Sequence, residues 1–268
     1  MSIVSSVTLL RNSSKILTLA SLRAGSDGLQ PPVLKELADV LTGPLALIFN
    51  KSLEEWKLLA KWKDAHVTPM FKKGNKSKPG NYRPVGLTNV LGKVMVSVIR
   101  DKAIEHIDKN EHLSEWKHGF VRGRSCCTNH FAVLEEWTDT LNAGTSVDAI
   151  YLDFAKAFDS VTHRRLFSKL TAYRVKGRVL DWISYFLIGR GQRACVNGAT
   201  RSELTEIRSG VLQGSVLGPV PFVVFTDHLP AIASSVCKMY GDDAKVSRPS
   251  CSEQDRWKLR ADLDNLVD

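Results

Sequence analysis

Val236-Cys-Lys-Met-Tyr-Gly-Asp-Asp-Ala-Lys-Val246 decides the reading of this chain. Apolar residues lead into Gly241-Asp242-Asp243 and resume directly after it, the pattern of two short strands joined by a tight turn. Gly and Asp suit turn conformations, so an exposed Gly-Asp turn accounts for the local sequence by itself. Two adjacent carboxylates repel each other, however, and that costs free energy unless cations neutralise them. A third acid, Asp153, closes the strand-like run Ala149-Ile-Tyr-Leu-Asp-Phe-Ala155. Three carboxylates from neighbouring strands offer the hard oxygen ligands that magnesium takes. Two such ions about 3.5–4 Å apart clamp the attacking and leaving oxygens of a phosphoryl transfer. The competing reading makes Asp153 a helix cap and the nearby Phe158 a core residue.

Working outward, Arg208-Ser-Gly-Val-Leu-Gln-Gly-Ser-Val-Leu-Gly-Pro219 has glycines at 210, 214 and 218. These let backbone approach a ligand closely. Gln213 among them carries both a donor and an acceptor. Lys72, Lys73 and Arg83 lie in and after a basic turn, 72–80, and could grip phosphate. Phe158, at the turn after Asp153, could lie against a nucleotide sugar and exclude a 2′-hydroxyl by bulk.

The 268 residues, 43% of them hydrophobic, suffice for one large or two modest domains. The net charge of +9 is unevenly spread. Residues 1–100 hold 15 Lys/Arg against 6 Asp/Glu, while residues 101–268 hold 22 of each. A basic surplus of this kind suits a phosphate backbone or a triphosphate, and equally a solvated face. Five cysteines without a C-x-x-C pair give no zinc spacing and suggest a reducing, intracellular setting. Nuclear and cytoplasmic locations stay open. No secretory signal or membrane span is read, so neither secretion nor a membrane partner is expected.

Periodicity predicts a helix over 31–58, broken or kinked at Gly43-Pro44. It predicts a strand over 66–71, an extended segment turning helical over 85–107, and a helix after the loop 118–125. Further helices are expected at about 160–170 and 177–187, and a hairpin around Asn197-Gly198. Pro221 falls in a segment expected to be helical, where an interior proline costs about 3 kcal/mol. The acidic hairpin follows at 236–246, then a helix over 252–267 capped by Ser252. Helices mixed with hairpins, without regular βαβ alternation, give an α+β fold.

The order of the pieces carries the most. Asn81-Tyr-Arg-Pro84, Gly119-Phe-x-x-Gly-Arg-Ser125, Tyr151-Leu-Asp-Phe-x-Lys-Ala-Phe-Asp-x-Val-x-His163, the glycine segment 210–219 and Tyr240-x-Asp-Asp243 follow in series. This series, over residues 20 to 268, resembles the reverse transcriptases of non-LTR (LINE-type, jockey-like) retrotransposons. The resemblance implies a right-hand polymerase with fingers and palm. Residues 1–115 would form an N-terminal segment and fingers, and 116–268 a palm that stops before the thumb. It implies that Asp153, Asp242 and Asp243 hold two Mg²⁺ ions, with Mn²⁺ a substitute. Phe158 would be the sugar gate, and Gln213 and Gly214 would line the nucleotide pocket. Arg83, with Lys72 or Lys73, would grip the triphosphate, and Tyr240 would meet the primer end. Template RNA, a DNA primer and dNTPs would be the substrates, with endonuclease and thumb regions in a full-length relative. Two other readings compete: a viral-type RNA-dependent RNA polymerase, against which Phe158 argues, and an inactive truncated relic that at most binds nucleic acid.

Overall fold

The computed structural model describes residues 25–110, 113–196 and 200–267. The elements are α1 (Pro31–Glu36), α2 (Ala38–Glu55), β1 (Ala65–Phe71), β2 (Tyr82–Leu87), α3 (Val90–Lys109), α4 (Cys126–Asn142), β3 (Ser146–Asp153), α5 (His163–Ala172), α6 (Arg178–Leu187), β4 (Arg190–Val196), β5 (Thr200–Arg201), β6 (Thr205–Ile207), α7 (Pro219–Thr226), α8 (Leu229–Ile232), β7 (Val236–Tyr240), β8 (Asp243–Ser250) and α9 (Glu253–Val267). Helix and sheet are mixed as an α+β fold. The described residues form two compact units, one within residues 1–106 and 158–218, the other within 107–157 and 219–268. The units are interleaved in sequence.

In the first unit β1 lies between β2, antiparallel, and β4, parallel; β5 and β6 both pair with β4. The turn residues Asn197 and Gly198, expected to join that hairpin, lie outside the described residues. Helices α1 and α2 bury Leu34, Leu45 and Phe49, and Phe49 meets Trp62 edge-to-face at 5.9 Å. The expected break at Gly43-Pro44 does not occur. The chain breaks earlier, at Leu37, and α2 runs through Pro44. Pro44 withholds the hydrogen bond to Val40, a residue 73% exposed, so the released carbonyl lies on a solvated face. Asp27 caps α3 from a distance, its carboxylate accepting from the Val90 N–H at 3.1 Å. Trp182, fully buried, stacks on Phe186 at 5.6 Å in α6.

In the second unit β8 is the central strand, flanked antiparallel by β3 and β7. Residues 116–118 run beside β7: Met239 N–H donates to the Trp116 carbonyl and His118 N–H to the Met239 carbonyl, both at 2.9 Å. Strand alternation sends Cys237, Met239, Ala244 and Val246 into a core with Leu259 and Leu266 of α9. The opposite side of β7 and β8 meets α4. Lys238, nearly fully buried, donates to Glu136 at 2.8 Å and to the Ala132 carbonyl, and lies 5.4 Å from the Trp116 ring. Ser125 and Thr128 form a capping box at the start of α4. Ser252, as expected, caps α9, exchanging hydrogen bonds with Asp255. Pro221 costs less than its sequence context predicts. It is the third residue of α7, where a backbone N–H has no intrahelical partner to lose. All five cysteines are free thiols. No helix among the described residues is long and apolar enough to cross a membrane.

Candidate active site

The carboxylates belong to the second unit and meet at one end of its sheet. Asp153, the last residue of β3, is the direct cross-strand partner of Asp243, the first residue of β8. Tyr240 pairs with Asp243 on the other side, leaving Gly241-Asp242 as a two-residue turn. Gly241 has φ +64°, the left-handed conformation that a type II′ hairpin needs at its first central position. The Phe154 N–H donates to the Asp242 carbonyl at 3.2 Å, tying the end of β3 to the turn. The sequence thus delivers the three acids through strand register rather than side-chain reach.

Their proximity is visible electrostatically. Partial desolvation, then the Asp242 and Asp153 charges, hold the Asp243 carboxyl above the usual carboxylate range; Lys245 opposes the shift. Among the described residues, no three His, Cys, Asp or Glu side chains converge closely enough to hold an ion as they stand. The donor set is nevertheless the oxygen-only one that divalent cations take, and a cation there would relieve the repulsion.

A cavity of about 340 Å³ adjoins the acids, lined by Cys126, Asn129 and His130 of α4, by Asp153, and by Tyr240, Asp243 and Lys245 among others. Sequence reasoning did not find the α4 residues. They stand more than 100 positions from the hairpin, with no motif to link them. Lys245 was missed as well, though strand alternation, which places it on the same face as Asp243, could have found it.

Gly119, the first residue of the Gly-Phe-x-x-Gly-Arg-Ser stretch, packs against the acidic turn. A Cβ on Gly119 would overlap the Gly241 nitrogen and stand 2.9 Å from its Cα. Backbone on both sides leaves nothing flexible to yield. Gly119→Ala is therefore expected to displace the acidic turn at a stability cost of about 1–3 kcal/mol. A denaturant titration beside a Mn²⁺-binding titration checks this. Unchanged values in both would mean that the approach is looser than described.

The first unit gathers the other candidate residues. Lys72 and Lys73 follow β1 and are exposed; the Lys72 N–H donates to the Asn81 carbonyl at 2.9 Å, closing the basic loop. Arg83, exposed on β2, pairs across with Met70. Three residues on, the Gly86 N–H donates to the Gln213 carbonyl at 2.8 Å, and a Cβ at Gly86 would strike Leu212 at 2.6 Å. Gly214 has φ +92° and packs over the Gly86 carbonyl. The glycine segment also holds the turn carrying Phe158: Val211 N–H donates to the Phe158 carbonyl and Gly210 N–H to that of Val161, both at 2.8 Å. His163 contacts the Gly210 carbonyl at 2.8 Å. So β2, the Phe158 turn and the Gln213-Gly214 loop form one backbone-linked cluster, while Asp153, Asp242, Asp243 and Tyr240 form another in the second unit.

The reverse transcriptase (RNA-dependent DNA polymerase) family model matches residues 71–266. The chain is 29% identical over 207 residues to the RNA-directed DNA polymerase from mobile element jockey of Drosophila melanogaster, covering 77% of this chain and 22% of the relative. It is 28% identical over 188 residues to the probable RNA-directed DNA polymerase from transposon BS of the same organism, covering 69% and 20%. It is 26% identical over 223 residues to the putative 115 kDa protein in type-1 retrotransposable element R1DM, also of Drosophila melanogaster, covering 82% and 21%. The chain thus spans about a fifth of the length of these relatives. The match to the family model takes in the basic loop, the glycine segment and all three carboxylates, and the chain belongs to the reverse transcriptase family.

Proposed function

We propose that this chain is the RNA-directed DNA polymerase portion of a retrotransposon protein, extending a DNA primer on an RNA template with dNTPs. The observation that carries the reading is the register that sets Asp153 opposite Asp243, with Asp242 in the adjoining turn. The second unit serves as palm and the first, with its basic loop, as fingers. In this reading residues 158–218, which cluster with the first unit, would lie with the fingers, and 107–157 and 219–268 would make up the palm.

Asp153, Asp242 and Asp243 would hold divalent ions, two Mg²⁺ by this reading, with Mn²⁺ a substitute. Bound there, the ions would lower the pKa of the primer 3′-hydroxyl and stabilise the departing pyrophosphate. The protein's own part is positional. The hairpin fixes where Asp242 and Asp243 stand, and Tyr240 abuts the primer end. Arg83 with Lys72 or Lys73 binds the triphosphate. Gln213 and Gly214 present backbone and amide groups to the nucleotide. Phe158 stands against its sugar.

Phe158 is half-buried, and its backbone is held by Val211, so its ring has little freedom to retreat. Phe158→Val is expected to relax discrimination against rNTPs by about tenfold or more, the scale of one steric contact. Single-nucleotide incorporation of dNTP and rNTP measures it, and unchanged selectivity would sink the gate assignment. The function as a whole is tested by primer extension on RNA with Mg²⁺ and dNTPs. Template-dependent synthesis supports it; a folded chain that binds nucleic acid but makes no product favours the inactive alternative.

A further inference from the structure

Lys245 stands two residues from Asp243 on the same face of β8, with Tyr151 directly opposite on β3 and Lys238 directly opposite on β7. An ammonium so close to the acids has an obvious alternative: to pair with them and occupy their oxygens. It does not. Its Nζ donates to His130 Nδ1 at 2.9 Å, and its charge lies 5.9 Å from the Tyr151 ring. A lysine ammonium only donates, so His130 accepts through Nδ1 and carries its proton on Nε2. The neighbouring Lys238 is also tethered by α4, through Glu136 and Ala132. Two like charges directly opposite across a strand pair repel, and α4 holds each at its own anchor. His130, Lys245, Asp153 and Asp243 all line the same cavity.

We propose that His130 is a positioning residue that parks the Lys245 ammonium on α4, keeping the Asp153 and Asp243 oxygens free for divalent ions. Lys245 then acts as a nearby counter-charge that softens the repulsion among the acids without competing for their oxygens. Without its anchor it becomes an internal rival to the metal. This inference rests on the assignment of these carboxylates as metal ligands.

The test is Mn²⁺ binding, read from the free-ion electron paramagnetic resonance signal, on the full chain and three variants. Near-UV circular dichroism checks that each is folded. His130→Phe, which cannot accept a hydrogen bond, is expected to weaken Mn²⁺ binding by about threefold to tenfold, the scale of one competing charge in a partly solvated cleft. Lys245→Met should bind Mn²⁺ at least as tightly as the wild type. The double variant His130→Phe/Lys245→Met should recover wild-type affinity, because the rival is gone. A purely structural role for His130 would leave the double variant as weak as His130→Phe, and that result overturns the inference, as does wild-type affinity in His130→Phe alone. A folded wild type with no Mn²⁺ affinity would instead overturn the carboxylate assignment, and this inference with it.

Discussion

Asp242→Asn/Asp243→Asn is expected to lose primer extension by a factor of about a thousand or more while the chain stays folded. By the proposed assignment, losing two of the three carboxylates would remove the clamp on both reacting oxygens, and each tenfold loss corresponds to about 1.4 kcal/mol of transition-state stabilisation. The fold has little reason to follow. The Phe154 N–H bonds the backbone carbonyl of residue 242, which the substitution keeps, and Gly241 still supplies the left-handed turn. The raised Asp243 pKa adds a sharper expectation. A carboxyl whose pKa is higher in the folded state than in the unfolded one favours folding when protonated, and that contribution is lost as pH rises through the folded value. At neutral pH without divalent ions, the ionised Asp243 opposes folding. The double variant should therefore melt slightly above the wild type while making no product, the trade expected at a strained functional site. Divalent ions should raise the wild-type midpoint and leave the variant's unchanged. Synthesis surviving in the variant would remove these acids from the mechanism.

Lys238→Ala is expected to destabilise the chain by about 2–3 kcal/mol, below the range for a fully buried ion pair because the Glu136 left behind is a quarter exposed. Glu136 would lose its partner beneath the sheet, and the Ala132 carbonyl its donor. Because Lys238 lies two residues before Tyr240, on the strand that ends in the acidic turn, activity should fall with stability. The replacement Lys238→Met/Glu136→Leu removes both charges and should recover much of the loss, since an apolar pair of similar volume avoids desolvation. Urea midpoints for the three chains decide it. A Lys238→Ala chain as stable as the wild type would mean that the ion pair contributes nothing net.

The hairpin was legible because its signals are local. An apolar strand, a turn-forming glycine and a second apolar strand specify one conformation, and Asp242-Asp243 announces its chemistry. Asp153 was legible because strand alternation and the following turn mark where β3 stops. Pro44 misled because proline's cost depends on which way the freed carbonyl faces, and that is set by tertiary burial. Pro221 misled because its cost depends on where α7 begins, a boundary that the preceding glycines blur. His130, Lys238 and Glu136 were beyond reach. Their meaning comes from packing between a helix and a sheet far apart in sequence, and each taken alone reads as an ordinary surface residue. Gly119 belongs with them: its tightness comes from a contact with Gly241 more than 120 positions away.

The central position of β8 in its sheet has a consequence for synthesis. Strand β3 finds its partner only when residues 243–250 have been made, roughly 90 positions later. At about 5–20 residues per second, a nascent chain carries β3 without a neighbour for about 5–20 s. During that interval its backbone groups are an open edge, available to other chains emerging from the same message. A ribosome that pauses after residue 153 lengthens the hazard, and one that stops before residue 243 releases a chain in which Asp153 never meets its counterpart.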